Sequence, residues 1–284
     1  MALTLSKVMT RTWRDIGHLT DIIATGGSTT TVVDSATRFT ANDSLKYGTV
    51  IVTKDSAGAG AAPEGEFSQI SAFVASTFTF TMGALSSGVA AGDGIGLAKP
   101  TIPVQQMKKA VNDGLANLGT ISLVDTSLTT VAGQTEYALP VGLKIKKLID
   151  VLVPFNLYTN TTDNNYFQSI KGLIRDFPTA PAATGLLVFE SEYISGLTIK
   201  IIYEGIHPEL TTFSSVISET IQEELAVAAA REKALNWLIA KRGAGATPDL
   251  RDEYNKAAQN LQAQKFEKPV FRQKTKAKFF MSGM

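Results

Sequence analysis

The residues able to do chemistry are few and poorly placed for it. Two histidines, His18 and His207, are the only imidazoles, and neither stands in an HExxH or HxH context. A polar or capping role fits them better than metal ligation. There is no cysteine, which removes disulfides, thiolate nucleophiles and Cys-based zinc sites. The stretch "GDGIGLAKP" holds Gly92, Gly94 and Gly96, a faint echo of a nucleotide loop. The helix such a loop must open is missing, because Pro100 and extended text follow, so it reads as a β-turn. Neither GxxxxGK[ST] nor GxSxG occurs. Glu219, Glu223 and Glu224 crowd the start of a helical stretch. Paired carboxylates can hold a metal or exchange protons, but no histidine sits at helical spacing beside them. A solvated N-terminal turn, where the helix dipole favours acids, is the simpler reading. Repeated around a ring, the same acids would form a negative wall. The expectation is a protein that is not an enzyme, with no catalytic residue, cofactor or metal.

The C-terminus is the exception to this blandness. "KFEKPVFRQKTKAKFFMSGM" carries six basic residues against Glu267, a local +5 that leaves −4 for the rest of a chain of net charge +1. The charge is segregated. Three readings fit it. It is a solvated end, a nucleic-acid contact with phenylalanines available to stack, or an arm that adds as a strand to a neighbouring sheet edge. Basic and apolar residues interleave there, and Pro269 keeps the start out of a helix.

The elements that would position these residues alternate in kind. Residues 3–19 read as a helix with Leu5, Val8, Met9, Trp13 and Ile16 on one face. From 26 to 100, β-branched and aromatic residues are divided by Gly, Asp, Asn and Ser clusters, the pattern of short strands in a small barrel or sandwich. Within it, Phe78, Phe80 and Met82 alternate with Thr77, Thr79 and Thr81. Pro103 opens a second helix, 104–118, with Gly119 as its cap. A second strand-rich region follows, interrupted by the Asn/Thr-rich loop "NLYTNTTDNNYF". A long helix is expected from Ser214 or Ser215 to Arg242, and another from Pro248 to about Phe266.

The order predicts an α+β fold: a discontinuous helical bundle core, two inserted β domains (each a small barrel or sandwich) and an extended C-terminal arm. The segments are 1–25 (first core helix), 26–100 (inserted β-barrel-like domain), 101–120 (core helix), 121–210 (second β region), 211–264 (C-terminal core helices) and 265–284 (basic arm). At 284 residues with 44% hydrophobic content the chain is globular. No window approaches a membrane span, and the first residues lack the apolar core of a signal peptide.

Three stretches carry a resemblance. "TVVDSATRFTANDSLKYGTVIVTKDSAGAGAAPEGEFSQISAFVASTFTFTMGALSSGVAAGDGIGLAKP" looks like the small β domain inserted after the first helix of large phage adaptors. "MKKAVNDGLANLGTISLVDTSLTTVAGQTEYALP" is similar to the helix-to-strand passage of phage neck proteins. The late helical pair with an extended arm is the third. Together they cover most of the chain and resemble the head–tail adaptor (connector, or neck) proteins of tailed bacteriophages. The resemblance implies a structural virion protein in a closed ring of about twelve copies, joining the portal vertex to the tail. Its implied partners are itself, the portal protein and a tail or tail-completion protein, with genomic DNA passing through the lumen unbound, and no membrane. The implied place is the capsid neck, after assembly in the host cytoplasm. The arm would dock on the portal through Phe266, Lys268, Val270, Phe271, Arg272, Lys274, Lys276, Lys278, Phe279 and Phe280, and Glu219, Glu223 and Glu224 would face the channel. Two alternatives stand beside it: another neck or tail-completion protein, and a DNA-binding protein acting through its basic tail, whose affinity would fall steeply with salt. A glycan-active protein built on the β domains is a weaker fourth.

Overall fold

The structure is a computed structural model that describes residues 2–36, 38–140, 143, 145–154, 167–170, 172–175 and 185–267. The docking-arm residues from Lys268 onward, and most of the "NLYTNTTDNNYF" loop, lie outside the described residues. The chain divides into two compact units. The first combines the residues up to Leu118 with those from Pro208 through the last helix; the second spans Gly119–His207.

Unit 1 contains seven short strands, all antiparallel: β1 (Leu19–Ile23), β2 (Gly26–Gly27), β3 (Thr31–Val33), β4 (Thr49–Lys54), β5 (Phe67–Val74), β6 (Thr79–Met82) and β7 (Gly94–Ala98), in the spatial order β1-β7-β4-β5-β6-β3-β2. The two outer members, β1 and β2, are successive stretches of one segment. Ala24 N–H donates to the Asp93 carbonyl (2.9 Å) and Thr25 N–H to the Val33 carbonyl (2.8 Å), so the segment passes from β7 to β3 at this point. The sheet therefore closes on itself as a barrel, which leaves no open edge. Alternation fills the interior: Val50, Val52, Ile70, Phe80, Ile95 and Leu97 are buried there. Phe73 and Phe80 stack at 4.3 Å between ring centroids, with Phe39 edge-on to Phe80 at 5.6 Å.

Four helices complete unit 1: α1 (Leu5–Asp15), α2 (Val104–Ala116), α3 (Glu223–Arg242) and α4 (Pro248–Glu267). Thr4 caps α1 by accepting from Lys7 N–H, and the face Leu5, Val8, Met9 and Trp13 is fully buried. Helix α3 packs against the other three. Its Ala226–Ala230 run is buried all round, which is the composition a helix needs when it has no solvent side. The crossing with α2 is close at Gly114, where a Cβ would lie 2.8 Å from the Ala229 carbonyl carbon.

Unit 2 is a pair of antiparallel sheets. One has the order β11-β10-β14-β8, from β8 (Thr120–Thr129), β10 (Ile145–Pro154), β11 (Phe167–Ile170) and β14 (Thr198–Ile206). The other is β12-β13-β9, from β9 (Glu136–Ala138), β12 (Gly172–Arg175) and β13 (Leu186–Phe189). Val151, Val153, Ile199 and Ile201 of the first sheet share one core with Tyr137, Leu187 and Phe189 of the second. This is face-to-face packing of two apolar sheet faces.

The expected fold class is corrected. A helical bundle does not form the core of this molecule. Among the described residues there are fourteen strands to four helices, all in antiparallel sheets, and each β region encloses an apolar core of its own. The physical reason is the supply of buried surface: Phe, Ile and Val are concentrated in the strands, whereas α3 meets its neighbours largely through alanine.

Three local expectations are corrected with it. Helix α1 ends at Asp15, and "LTDII" is strand β1, because Gly17 turns the chain at φ +68°. Helix α3 begins at Glu223, not at Ser214 or Ser215. The intervening residues are turns on either side of one bridge between Val216 and Thr4, with Ile217 N–H donating to the Leu3 carbonyl (2.8 Å) and Leu5 N–H to the Ser215 carbonyl (3.0 Å). Phe78 is not part of the alternating strand; it sits at φ +50° in the turn that joins β5 to β6.

Candidate functional site

The three acids are not one helical patch. Glu223 and Glu224 occupy the first turn of α3, but Glu219 lies in the exposed segment before it. Glu223 is committed: its Oε1 accepts from Arg11 Nη1 at 2.7 Å. That hydrogen bond, opposed by partial burial and helped by the nearby acids, raises the Arg11 guanidinium above its ordinary value. Of the proposed docking arm, Phe266 is described. It stands in the last turn of α4 with 85% of its surface exposed, while the preceding Lys265 reaches the Asn117 carbonyl at 3.4 Å.

Neither histidine joins a ligand set. His18 follows α1, half-buried, with Nδ1 lacking a partner. Burial, then the positive charges of Lys99 and Arg242, lowers its pKa, with Glu253 acting weakly in the other direction. His207 is buried. "GDGIGLAKP" is a turn at Gly92 (φ +94°) followed by the wholly buried β7. Its Asp93 closes the turn by accepting from Ser56 N–H and Ala90 N–H, both at 2.8 Å. Among the described residues, no group of three or more His, Asp or Glu is arranged to hold a metal ion, and no helix is long and apolar enough to cross a membrane.

What the sequence reading missed is a cleft in unit 1. It has a volume of about 880 Å³ and runs between the polar side of α1 and the β4–β5 region of the barrel. Lys7, Arg11 and Arg14 stand along its α1 wall, spaced so that they fall on one helix face. Phe67 and Phe213 line it with apolar surface, their rings 4.4 Å apart, and Phe67 in turn meets the buried Trp13 at 6.2 Å. The carboxylates that border it are occupied by nearby groups: Glu64 accepts from Gly60 N–H (3.0 Å), and Glu66 from Ser86 N–H (2.8 Å). Arg14 is held by Asp21 through two bonds of 2.8 Å. Lys7 Nζ donates to the Ala2 carbonyl at 3.3 Å, its one hydrogen bond from the side chain among the described residues. The cleft thus sets cationic N–H donors and bordering carboxylates above an aromatic surface. The signal was present as the row Lys7, Arg11, Arg14 opposite the apolar face. Its meaning came from Phe67, Phe213 and Glu223, which only the fold brings to it.

No known protein family matches the chain, and no curated protein matches it.

Proposed function

We propose that the chain is a structural subunit of a tailed-phage head–tail adaptor, a ring between the portal vertex and the tail through which DNA passes. One observation carries this reading. The stretch that resembles an adaptor's inserted domain forms a self-contained barrel between α1 and α2, and α3 and α4, drawn from the far end of the chain, return to the same unit. The exposed Phe266 at the end of α4 stands at the start of the basic segment proposed to dock on the portal. Positive charge there suits an acidic edge on the portal. The partners in this reading are further copies of the chain in a closed ring of about twelve, the portal protein and a tail or tail-completion protein. The pairing of Glu223 with Arg11 makes a wall of channel-facing acids weaker than the sequence alone implies.

The test is cross-linking mass spectrometry on purified virus particles, reading the partners of Lys265, Lys268, Lys274, Lys276 and Lys278. Links to the portal protein are the expected result. Links to tail or capsid proteins alone, or the chain's absence from particles, defeat the adaptor reading and turn attention to DNA binding by the isolated chain.

A further inference from the structure

One sheet of unit 2 ends on a long strand, β8, that is hydrogen-bonded to β14 along one side and, among the described residues, to no strand along the other. A strand so placed presents a row of backbone N–H and C=O groups able to pair with a further strand. The other strands at sheet ends are short, four residues each for β11 and β12 and three for β9, whereas β8 has ten. It also lacks the residues that usually blunt an edge. "TISLVDTSLT" holds no Lys and no Pro, and Val124 is 53% exposed. Its one irregularity lies at Thr126 and Ser127, where the register with β14 shifts and the Asp125 carboxylate accepts from Ser127 N–H (3.1 Å) and Oγ (2.7 Å). Thr120–Asp125 keeps unbroken register with β14 and is the regular part of the edge.

The chain carries a strand-like segment of its own that fits this edge. In "VFRQKTKAKF", Arg272, Lys274, Lys276 and Lys278 recur at every second residue. That is the period of a strand; on a helix the four would scatter around the axis. The segment lies outside the described residues, but its point of departure is described. Lys265 Nζ, in the last turn of α4, is 3.4 Å from the Asn117 carbonyl, and Asn117 stands three positions before the first residue of β8. Residues 268–284, extended at about 3.3 Å each, exceed the length of β8. A tether this short gives the arm a high effective concentration at its own β8, which favours pairing within one chain over capture by another copy. We infer that the segment 270–280 adds as a strand to the outer edge of β8 in its own chain, with Thr120–Asp125 as the template. The arm then supplies what β8 lacks, an outermost strand rich in Lys. Backbone pairing, length and tether select this occupant, not charge: Asp125 is the one ionisable residue of β8, and Lys200 and Glu204 of β14 offset each other. The consequence is regulatory. One segment cannot pair with β8 and with a portal edge at once, so a copy without a portal keeps its arm on its own sheet. That consequence rests on the proposed function; the pairing with β8 does not.

The experiment is residue-resolved amide hydrogen exchange on the isolated full-length chain, wild type against Thr275→Pro/Lys276→Pro. Two adjacent prolines remove a donor from each side of the segment, so the paired side is struck in either register. Successive amides of β8 alternate between the β14 side and the outer side. The outer-side amides of Thr120–Asp125 should be protected in the wild type and should exchange about tenfold or more faster in the double-proline variant. The β14-side amides should hold their protection in both, which separates release of the arm from unfolding of unit 2. Outer-side amides that exchange equally fast in the two proteins, or that stay protected in the variant, overturn the inference. So does protection that grows with protein concentration, which assigns the added strand to a second copy. No portal is present in this measurement, so its outcome is separate from that of the particle cross-links. Protected β8 amides in a chain whose arm lysines never reach a portal keep the pairing and defeat the adaptor reading. Unprotected β8 amides with portal links do the reverse.

Discussion

Two ionisable residues of unit 1 tie stability to pH in the same direction but in different windows. His18 has its pKa lowered by burial and by Lys99 and Arg242. The unfolded chain therefore takes up a proton first, below about pH 6.5, and folded stability declines as pH falls from there toward the lower folded value. His18→Gln should remove that portion of the decline, read as a smaller difference in Tm between neutral and mildly acidic buffer. Asp93 titrates lower. Burial alone would raise its carboxyl, but the Ala90 and Ser56 donors outweigh burial and hold it below its usual range. Its contribution is present above about pH 4 and is lost as pH falls through the folded value. Asp93→Ala leaves two amides at the turn without their acceptor and should cost about 2–4 kcal/mol in urea unfolding at neutral pH. By contrast Arg11→Ala breaks an exposed ion pair and should cost no more than about 1 kcal/mol.

At the scale of elements, the close approach of α2 and α3 is the most exacting contact. A Cβ on Gly114 would meet the Ala229 carbonyl carbon at 2.8 Å and the Ala230 nitrogen at 3.0 Å, all backbone atoms that cannot rotate away. Gly114→Ala should therefore push the helices apart and cost about 1–3 kcal/mol by chemical denaturation, although alanine is the better helix former. The same scale shows where the sequence could be read. The start of α2 was legible because Pro103 stands at its N-cap and the apolar residues that follow keep helical spacing. The start of α3 was not. Its preceding residues hold neither Gly nor Pro, and what keeps them out of a helix is the bridge between Val216 and Thr4 with the bonds beside it. The candidate site was hidden for a related reason: the Arg11–Glu223 pair joins residues 212 positions apart. Gly17 was visible in the sequence, yet its positive φ, and so the early end of α1, became apparent only in the fold.

For the whole molecule, the separate apolar cores of the barrel and of unit 2 imply separate responses to core damage. Phe80 belongs to the first and Phe189 to the second. Phe80→Ala and Phe189→Ala should each cost about 3–5 kcal/mol. In calorimetry the two truncations should lower different parts of the unfolding profile, since a chain with two cores need not melt in one step. A single transition shifted alike by both would show that the cores are energetically one. Much of the general reading, that strands and helices alternate along the chain, was legible from composition. The mistake was one of weight. Helical periodicity is conspicuous in text, but it does not reveal how little surface an alanine-rich helix contributes beside a closed barrel of phenylalanine, valine and isoleucine.

The way the barrel is entered and left has a consequence for descent. Leu19 of β1 lies directly opposite Ala98 of β7, and Lys99 N–H donates to the His18 carbonyl at 2.9 Å. The chain thus returns within one hydrogen bond of where it departed. A deletion joining residues near 18 and 99 needs only a tight turn, and a different module could be spliced in at the same seam. Recombination between related genomes would treat this barrel as a cassette, gained, lost or exchanged while α1 and α2 kept their places, at the cost of uncovering the Trp13 face where it meets Phe67.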